Sequence, residues 1–325
     1  MSKTRVAVLR GGPSAEYDVS LRTGASVLDV IDRDYFEPLD VIITRSGEWL
    51  QDGRVRYPEQ LIPAVDVVFI ALHGTYGEDG TVQRLIERFG VPYTGSGAYA
   101  SSLSMHKAYT KEHLKDTGIL LPQHYVIQKD NALSPHRLAG NIREQFGPHY
   151  VIKPIASGSS VGVILVTDTL ELGYFITKAL TEYDEIIVEK YIQGREVTCG
   201  VIERFRDHEL YALPVIEIIP PKEALFFSAE VKYTGATNEV CPASLSFAEK
   251  QVIEEATKRV HRELNLRQYS RSDFIQAPDG LYFLEVNTLP GLTPESLFPK
   301  ALSAVGSSHA DFVLHLINDA LSIKA

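Results

Sequence analysis

The feature that most constrains the fold is an alternation of strand-like and helix-like segments through the first hundred residues. Apolar runs alternate with amphipathic stretches in the order RVAVLR, SLRTGASVLDVI, FEPLDVIIT, VDVVFIAL and GTVQRLIERFG. Because parallel strands need a long crossover connection, which is usually a helix, this order predicts βαβ units and a mostly parallel sheet. Ligand-binding groups are then expected in the loops at the carboxyl ends of the strands.

Two polar, glycine-rich loops follow strands of this predicted sheet. They read RGGPSAE and HGTYGEDG, and they carry Glu16 just ahead of a helix and His73 directly after a strand. The Gly-Gly pair is a weak nucleotide signal, because the G-x-G-x-x-G pattern is absent. Glu16 and His73 are the candidate ligand-binding residues of this region.

A second region, about residues 97–188, contains a candidate phosphate-binding hairpin. Two β-rich runs, 150–155 and 162–166, flank the small-residue loop SGSS at 157–160. Small residues allow close approach to a ligand, and successive backbone N–H groups can bind an anion. Lys153 lies on the incoming strand, and Lys107 on the preceding helix offers a second positive charge. The alternative interpretation is an ordinary turn.

A third region begins near residue 189 with EIIVEKYIQGREVTCGVI. The backbone of the segment 189–192 could pair with the edge of a flat base, and Glu196 lies where a ribose could be held. A solvated strand end is the alternative. The long stretch 219–243 shows little periodicity but is rich in aromatic residues, so it is predicted to be a lid over a site.

The segment RSDFIQAPDGLYFLEVN predicts a β-hairpin. Its x-P-D-G-x centre favours a three-residue loop in which Ala277 pairs with Leu281. This register places Asp273 opposite Glu285 and Arg271 opposite Asn287 on one face. The other face, with the pairs Phe274–Leu284 and Ser272–Val286, is predicted to face the core.

Two carboxylates that face each other across a ladder repel unless a cation lies between them. Oxygen ligands without nearby His or Cys favour a hard ion, so the hairpin predicts a Mg²⁺ site. The alternative is a solvated hairpin end whose charges point outward.

Composition excludes some classes of function. The net charge of −10 does not indicate nucleic-acid binding, and a small anionic ligand would need a locally positive pocket. Cys199 and Cys241 lie far apart without metal-ligand spacing, as expected in a reducing compartment. The apolar run at the start is too short for a signal peptide, and no run reaches the length of a membrane span. A cytoplasmic location is therefore expected, without nucleic-acid or membrane partners.

Seven segments resemble, in order along nearly the whole chain, the D-alanine–D-alanine ligases of the ATP-grasp superfamily. They are GGPSAEYDVSL, LHGTYGEDGTVQ, YTGSG, KPIASGSSVGV, VEKYIQGRE, RSDF and LEVNTLPGLTPESL. The resemblance implies an α/β ATP-grasp fold, with an N-terminal parallel-sheet, Rossmann-like domain (1–96) and two α+β domains (97–188 and 189–325) that enclose ATP.

The resemblance also implies an activity and roles for individual residues. The family joins two D-alanines through a D-alanyl phosphate for peptidoglycan precursor synthesis, using ATP and two Mg²⁺ or Mn²⁺ ions, and it is often a homodimer. The matching metal ligands are Asp273, Glu285 and Asn287, and the matching phosphate contacts are Lys107, Lys153, Ser159 and Ser160. The adenosine contacts match Glu189, Lys190, Ile192 and Glu196. The D-alanine contacts match Glu16, His73, Lys232, Ser296 and Leu297, the oxyanion stabilisers match Arg271 and Gly291, and Tyr233 matches a lid residue that meets Glu16 and Ser159.

The sequence departs from the commonest family pattern at positions that carry no assigned chemistry. These departures are Tyr17, His106, Ser272 and the lid residues Phe227, Ser228 and Ala229. Three rival functions stay open at this point: an ATP-grasp ligase for D-lactate, D-serine or another amino acid, a catalytically silent ATP-binding regulator, and a metallohydrolase that uses Asp273 and Glu285.

Overall fold

The computed structural model describes residues 3–130, 133–158, 161–220 and 238–322. They form three sheets with flanking helices. No helix in these ranges is long and apolar enough to cross a membrane.

The first sheet has the strand order β4-β3-β2-β1-β5. β1 pairs in parallel with β2 and β5, as the βαβ pattern predicts, while β3 and β4 extend the sheet in antiparallel fashion. The strands are β1 (Thr4–Gly11), β2 (Phe36–Ile43), β3 (Trp49–Gln51), β4 (Arg54–Val55) and β5 (Val67–Ile70). The helices of this region are α1 (Tyr17–Val30), α2 (Pro58–Leu61), the short 3₁₀ helix Ile62–Ala64 and α3 (Thr81–Glu87).

The second sheet is antiparallel and has the order β6-β9-β7-β8. Its strands are β6 (His124–Gln128), β7 (Tyr150–Pro154), β8 (Ile164–Val166) and β9 (Glu185–Lys190), and its core is completed by helices α6 (Pro135–Phe146) and α7 (Leu172–Glu182). The pairing of β7 with β8 confirms the hairpin predicted around the SGSS loop.

The third sheet runs β13-β12-β10-β14-β15, with β11 paired to β10. The strands are β10 (Arg195–Phe205), β11 (His208–Ala212), β12 (Ile216–Ile219), β13 (Asn238–Val240), β14 (Tyr269–Ala277) and β15 (Gly280–Asn287). The remaining helices are α4 (Ala98–Met105), α5 (Lys107–Leu114), α8 (Phe247–Glu263), α9 (Leu297–Ala304) and α10 (His309–Ser322).

Helices tie the sheets together through two apolar cores. Ala100 of α4 and Leu114 of α5 pack with Val197 and Phe274 of the third sheet. Phe312 of α10 belongs to the core that also contains the buried strands of the first sheet. The helices at 98–114, which the sequence groups with the second region, therefore share a core with the third sheet. The domain limits at residues 96 and 188 stay a prediction.

The β14–β15 hairpin differs from the prediction near its turn. Asp273 faces Glu285 and Arg271 faces Asn287, as predicted, but the register then shifts at a bulge after Asp273. As a result Ala277 pairs with Gly280, which leaves a two-residue loop and corrects the predicted pairing with Leu281.

The bulge also changes which residue of β15 lies opposite Phe274. Phe283, not the predicted Leu284, takes this place, and both phenylalanine rings are fully buried at a centroid distance of 5.8 Å. The large aromatic pair fills the core, and Leu284 is left to line the cleft described below. A bulge beside a site commonly re-aims a side chain in this way.

Candidate functional site

A cleft of about 1020 Å³, counting its open mouth, lies between the second and third sheets. Apolar side chains that include Val151, Ile218 and Leu284 form part of its wall. The predicted site residues that line it are Lys107, Lys153, Glu189, Lys190, Ile192, Glu196, Arg271, Asp273, Glu285 and Leu297. Residues from three regions of the sequence thus meet in one cavity.

One side of the cleft concentrates lysines around a single buried carboxylate, and we call Lys107, Lys111, Lys153 and Glu189 the lysine end. The Nζ of Lys153 lies 2.7 Å from Oε2 of Glu189, and the Nζ of Lys111 lies 2.9 Å from its Oε1. Burial alone would raise the pKa of Glu189, but the two lysines outweigh it and lower this pKa to about 2. Lys107 pairs with a second carboxylate, Glu285, so the three lysines exceed their two carboxylate partners by one positive charge.

Lys107 connects the lysine end to the β14–β15 hairpin. Its Nζ donates to the backbone carbonyl of Ser157 at 2.6 Å and lies 3.3 Å from Oε2 of Glu285. It therefore touches both the predicted phosphate hairpin and a predicted metal ligand. This placement agrees with the prediction of a second positive charge near the hairpin.

Asp273 is held by three neighbours at the centre of the cleft. Arg271 donates to both carboxylate oxygens at 3.1 and 3.2 Å, Asn287 Nδ2 donates to Oδ2 at 3.0 Å, and Thr198 Oγ1 donates to Oδ1 at 2.5 Å. Burial alone would lower the pKa of Arg271, but Asp273 outweighs it and raises this pKa. The guanidinium therefore stays charged beside the site.

The donor set at this position fits a hard cation. Within the described ranges no group of three or more His, Cys, Asp or Glu is arranged for a metal. Asp273 and Glu285 pair directly across the ladder, and the Asn287 side chain reaches Asp273. Two carboxylates and an amide are the oxygen donors that Mg²⁺ prefers.

The opposite side of the site, near the first sheet, is acidic, and we call Glu16 and Glu78 the carboxylate end. A Cβ on Gly74, whose φ is +69°, would lie 2.8 Å from Oε2 of Glu16, and one on Gly158 would lie equally close. A side chain at either position would collide with the Glu16 carboxylate, so both positions require glycine. They bring the loop after β5 and the phosphate hairpin against one carboxylate.

Glu78 was not assigned a role from the sequence. It accepts from the backbone N–H of Gly74 at 2.8 Å and from that of Leu289 at 3.1 Å. Burial, and next the charge of Glu16, raise the pKa of Glu78 to about 7. The only available signal was its position in the HGTYGEDG loop.

His73 is buried and contacts protein groups through both ring nitrogens. Nε2 lies 2.7 Å from Thr23 Oγ1, and Nδ1 lies 3.0 Å from the carbonyl oxygen of Leu289. Because a carbonyl can only accept, Nδ1 carries the proton. Together with Glu78, His73 fixes both backbone groups of Leu289, just before Pro290 and Gly291.

Gly291 and Ser296 lie together beyond this turn. A Cβ on Gly291 would lie 2.9 Å from Oγ of Ser296, which itself lies 2.9 Å from Thr293 Oγ1. Ser296 is the residue before α9, and Leu297 begins that helix. The predicted oxyanion-stabilising turn and the predicted acceptor site therefore adjoin each other.

Several predicted residues lie outside the described part of the chain. They are Ser159, Ser160, Lys232 and Tyr233, together with the lid departures Phe227, Ser228 and Ala229. Most of the stretch 219–243, predicted to be a lid, lies there too. Their roles stay predictions.

Lys111 is the second residue that sequence reasoning missed. It lies four residues after Lys107 and therefore on the same side of α5. That spacing was visible in the sequence, but its complete burial against β15 was not.

Family models match almost the whole chain. The model for the D-ala D-ala ligase N-terminus matches residues 5–61, and the model for the D-ala D-ala ligase C-terminus matches residues 63–318. The D-alanine–D-alanine ligase of Geobacter sulfurreducens is 38% identical, covering 100% of this chain and 96% of the relative. That of Bartonella henselae is 36% identical and covers 100% of both chains.

Solved structures share the whole architecture. The VanG D-Ala:D-Ser ligase from Enterococcus faecalis superposes with a TM-score of 0.84 at 29% identity, covering 98% of this chain and 100% of that one. The D-alanine–D-alanine ligase from Bacillus anthracis complexed with ATP gives a TM-score of 0.81 at 29% identity, covering 99% and 98%.

The three-sheet architecture and its cleft are those of an ATP-grasp enzyme, an ATP-dependent ligase. Within that class, the chain belongs to the D-alanine–D-alanine ligase family. Membership disfavours the regulator and metallohydrolase alternatives that the sequence had left open.

Proposed function

We propose that this protein joins two D-alanines to D-alanyl-D-alanine, with release of ADP and phosphate from ATP, in the synthesis of peptidoglycan precursors. The observation that carries the proposal is the division of charge across one site. Lysines concentrate at one end and carboxylates at the other, with Arg271 and oxygen donors between them. A triphosphate suits the first end, and the ammonium group of an amino acid suits the second.

ATP binds with its base and ribose along the β9 end of the cleft. The backbone of Lys190 and Ile192 faces the base, and Glu189 and Glu196 contact the adenosine. Lys107 and Lys153 bind the phosphates, and Ser159 and Ser160 close over them. Charge-assisted hydrogen bonds of this kind are about twice as strong as neutral ones.

Asp273, Glu285 and Asn287 hold Mg²⁺ or Mn²⁺, and the family pattern suggests two ions. A bound cation of this type neutralises the charge that develops on a transferring phosphoryl group. The three residues are supported by their shared position on the hairpin and by their oxygen donors.

The chemistry runs in two steps. A carboxylate oxygen of the first D-alanine attacks the γ-phosphorus of ATP, the bond to the bridging oxygen breaks, and ADP leaves. The neutral amine of the second D-alanine then attacks the acyl carbon, loses its proton, and phosphate leaves. Phosphate is a far better leaving group than oxide, which is why the first step must precede the second.

The remaining residues hold the two amino acids and the reacting centre. Glu16 binds the ammonium of the first D-alanine with His73 beside it, and Lys232, Ser296 and Leu297 bind the second. Arg271 and the backbone of Gly291 stabilise the oxyanion. Tyr233 closes the lid against Glu16 and Ser159.

The setting of the enzyme follows from its chemistry. Dependence on ATP and the two free thiols, Cys199 and Cys241, support a cytoplasmic location. A homodimer is proposed from the family pattern.

A competition assay tests the proposed function. Purified protein receives MgATP with D-alanine, and then D-alanine with equal amounts of D-serine or D-lactate, and the products are separated by mass. D-Alanyl-D-alanine should dominate at neutral pH, with phosphate release in equal amount. A predominance of D-alanyl-D-serine or of the ester would overturn the assignment of the acceptor, and no phosphate release would overturn the ligase function.

A further inference from the structure

The lysine end contains a charged residue that the proposed chemistry does not use. Lys111 is completely buried and does not line the cleft, unlike its neighbours Lys107 and Lys153. Its Nζ lies 2.9 Å from Oε1 of Glu189 and donates to the carbonyl oxygens of Leu284 at 3.2 Å and Phe283 at 3.5 Å. These contacts fix it between α5, β9 and β15, where no nucleotide can reach it.

Glu189 therefore has two counter-ions of different kinds. Lys111 is anchored to the backbone of β15, whereas Lys153 lines the cleft and its side chain is 10% exposed. The Glu189 side chain is only 2% exposed. A carboxylate so deeply buried is strongly destabilising when it has no counter-ion.

This arrangement bears on how Lys153 can bind a phosphate. Lys153 uses one of its three N–H donors on Glu189 at 2.7 Å, and a phosphate that draws the ammonium towards the cleft weakens this contact. With Lys111 in place, Glu189 keeps one ion-pair partner when Lys153 turns away. Without Lys111, the same movement would leave an uncompensated buried charge.

We propose that Lys111 is a positioning residue that serves as the permanent counter-ion of Glu189 and thereby releases Lys153 to bind the phosphates of the nucleotide. The inference rests on the proposed function, because it assumes that Lys153 contacts phosphate. The two lysines then have different roles. Lys111 balances the charge of Glu189, and Lys153 balances the charge of the nucleotide phosphates.

Binding of adenosine and of MgADP, measured by calorimetry, tests the proposal, because only the second ligand draws on Lys153. Lys111→Met should weaken MgADP binding by about tenfold or more and adenosine binding by less than about threefold. Lys115→Met is the matched control, since Lys115 directly follows α5 but pairs with Glu112 at the surface. It should change neither affinity.

A second comparison removes the charge that Lys111 neutralises. In a Glu189→Gln background there is no buried carboxylate to compensate, so adding Lys111→Met should leave the ratio of MgADP to adenosine affinity within about twofold. This double variant removes Glu189 together with Lys111 and so leaves no uncompensated buried carboxylate, which keeps it informative if Lys111→Met alone fails to fold.

The outcomes separate the inference from the function on which it rests. Failure of the unmodified protein to bind MgADP more tightly than adenosine would remove the phosphate role of Lys153 and with it the proposed nucleotide site. If the unmodified protein binds MgADP more tightly than adenosine and the folded Lys111→Met variant keeps the same ratio of the two affinities, only the role of Lys111 is overturned. A large further change on adding Lys111→Met to Glu189→Gln would also overturn it.

Discussion

Glu189 and Glu78 are the same residue type at opposite ends of one site, and their pKa values shift in opposite directions. Two lysines outweigh burial at Glu189 and lower its pKa to about 2, whereas burial and the neighbouring Glu16 raise the pKa of Glu78 to about 7. The chain thus places lysines where the phosphates are proposed to bind and carboxylates where an ammonium group is proposed to bind. The fold joins the two ends through Arg271 and the β14–β15 hairpin.

The largest effect is expected between the two ends, at Glu285. Glu285→Gln removes a negative charge from the proposed metal ligands while keeping the shape of the side chain. Turnover should fall by about 10³-fold, equivalent to about 4 kcal/mol in the barrier. Phosphate release at saturating Mg²⁺ and D-alanine measures this loss.

The control for this change is Glu255→Gln, since Glu255 lies on the exposed side of α8 in a surface pair with Lys258. It should retain full activity. If Glu285→Gln is as active as this control, Glu285 does not hold the metal.

Lys153→Met tests the lysine end directly. It removes a charge proposed to bind phosphate, but Glu189 keeps Lys111 as a partner, so the fold should survive. The KM for ATP should rise by about 100-fold, or about 2.7 kcal/mol, as expected for loss of a charge-assisted contact. The KM for D-alanine should change by less than about threefold.

Lys129→Met supplies a comparison, because Lys129 is exposed and pairs only loosely with Asp184 at 3.6 Å. If Lys129→Met raised the KM for ATP as much as Lys153→Met does, the effect would be one of general charge. If Lys153→Met changed only the KM for D-alanine, the lysine end would bind the amino acid and not ATP.

The sequence predicted the centre of the site better than its edges, for physical reasons. Strand periodicity fixes which residues share a face, so Asp273 and Glu285 were correctly placed opposite each other. The predicted pairing at the turn was wrong because the register shifts at a bulge after Asp273, where Phe274 packs against Phe283, and local sequence patterns do not encode such a shift. Glu78 was missed because its partner Leu289 lies 211 residues further along the chain.

Glu78, at the carboxylate end, should make the free energy of unfolding depend on pH. The pKa of Glu78 is about 7 in the folded protein and near 4.5 when unfolded, so the folded state holds an extra proton between these values. Stability therefore falls as the pH rises through this window. Glu78→Gln removes this titration. Between pH 5 and pH 6.5 the free energy of unfolding of this variant should therefore fall by about 2 kcal/mol less than that of the unmodified protein.

Urea unfolding at a series of pH values provides the measurement, with the exposed Glu59→Gln as the control. Glu16 and Arg271 also face Glu78 and stay unchanged in both variants. Parallel stability profiles for Glu78→Gln and the unmodified protein would show that Glu78 is not the group that titrates.

The smallest effect concerns salt and compares the two ends in one experiment. ATP carries several negative charges into a cleft of positive potential, whereas D-alanine is a zwitterion whose two charges nearly cancel at a distance. Raising the ionic strength from about 0.05 to 0.5 M shortens the screening length from about 14 to 4 Å, which weakens long-range attraction but leaves buried contacts largely intact. The KM for ATP should therefore rise by about two- to threefold and the KM for D-alanine by much less. Lys153→Met should show a smaller rise for ATP, because part of the attracting charge is already gone. Equal salt dependence of the two KM values would mean that the lysine end does not attract the nucleotide through its excess charge, even if each lysine still contacts a phosphate after binding.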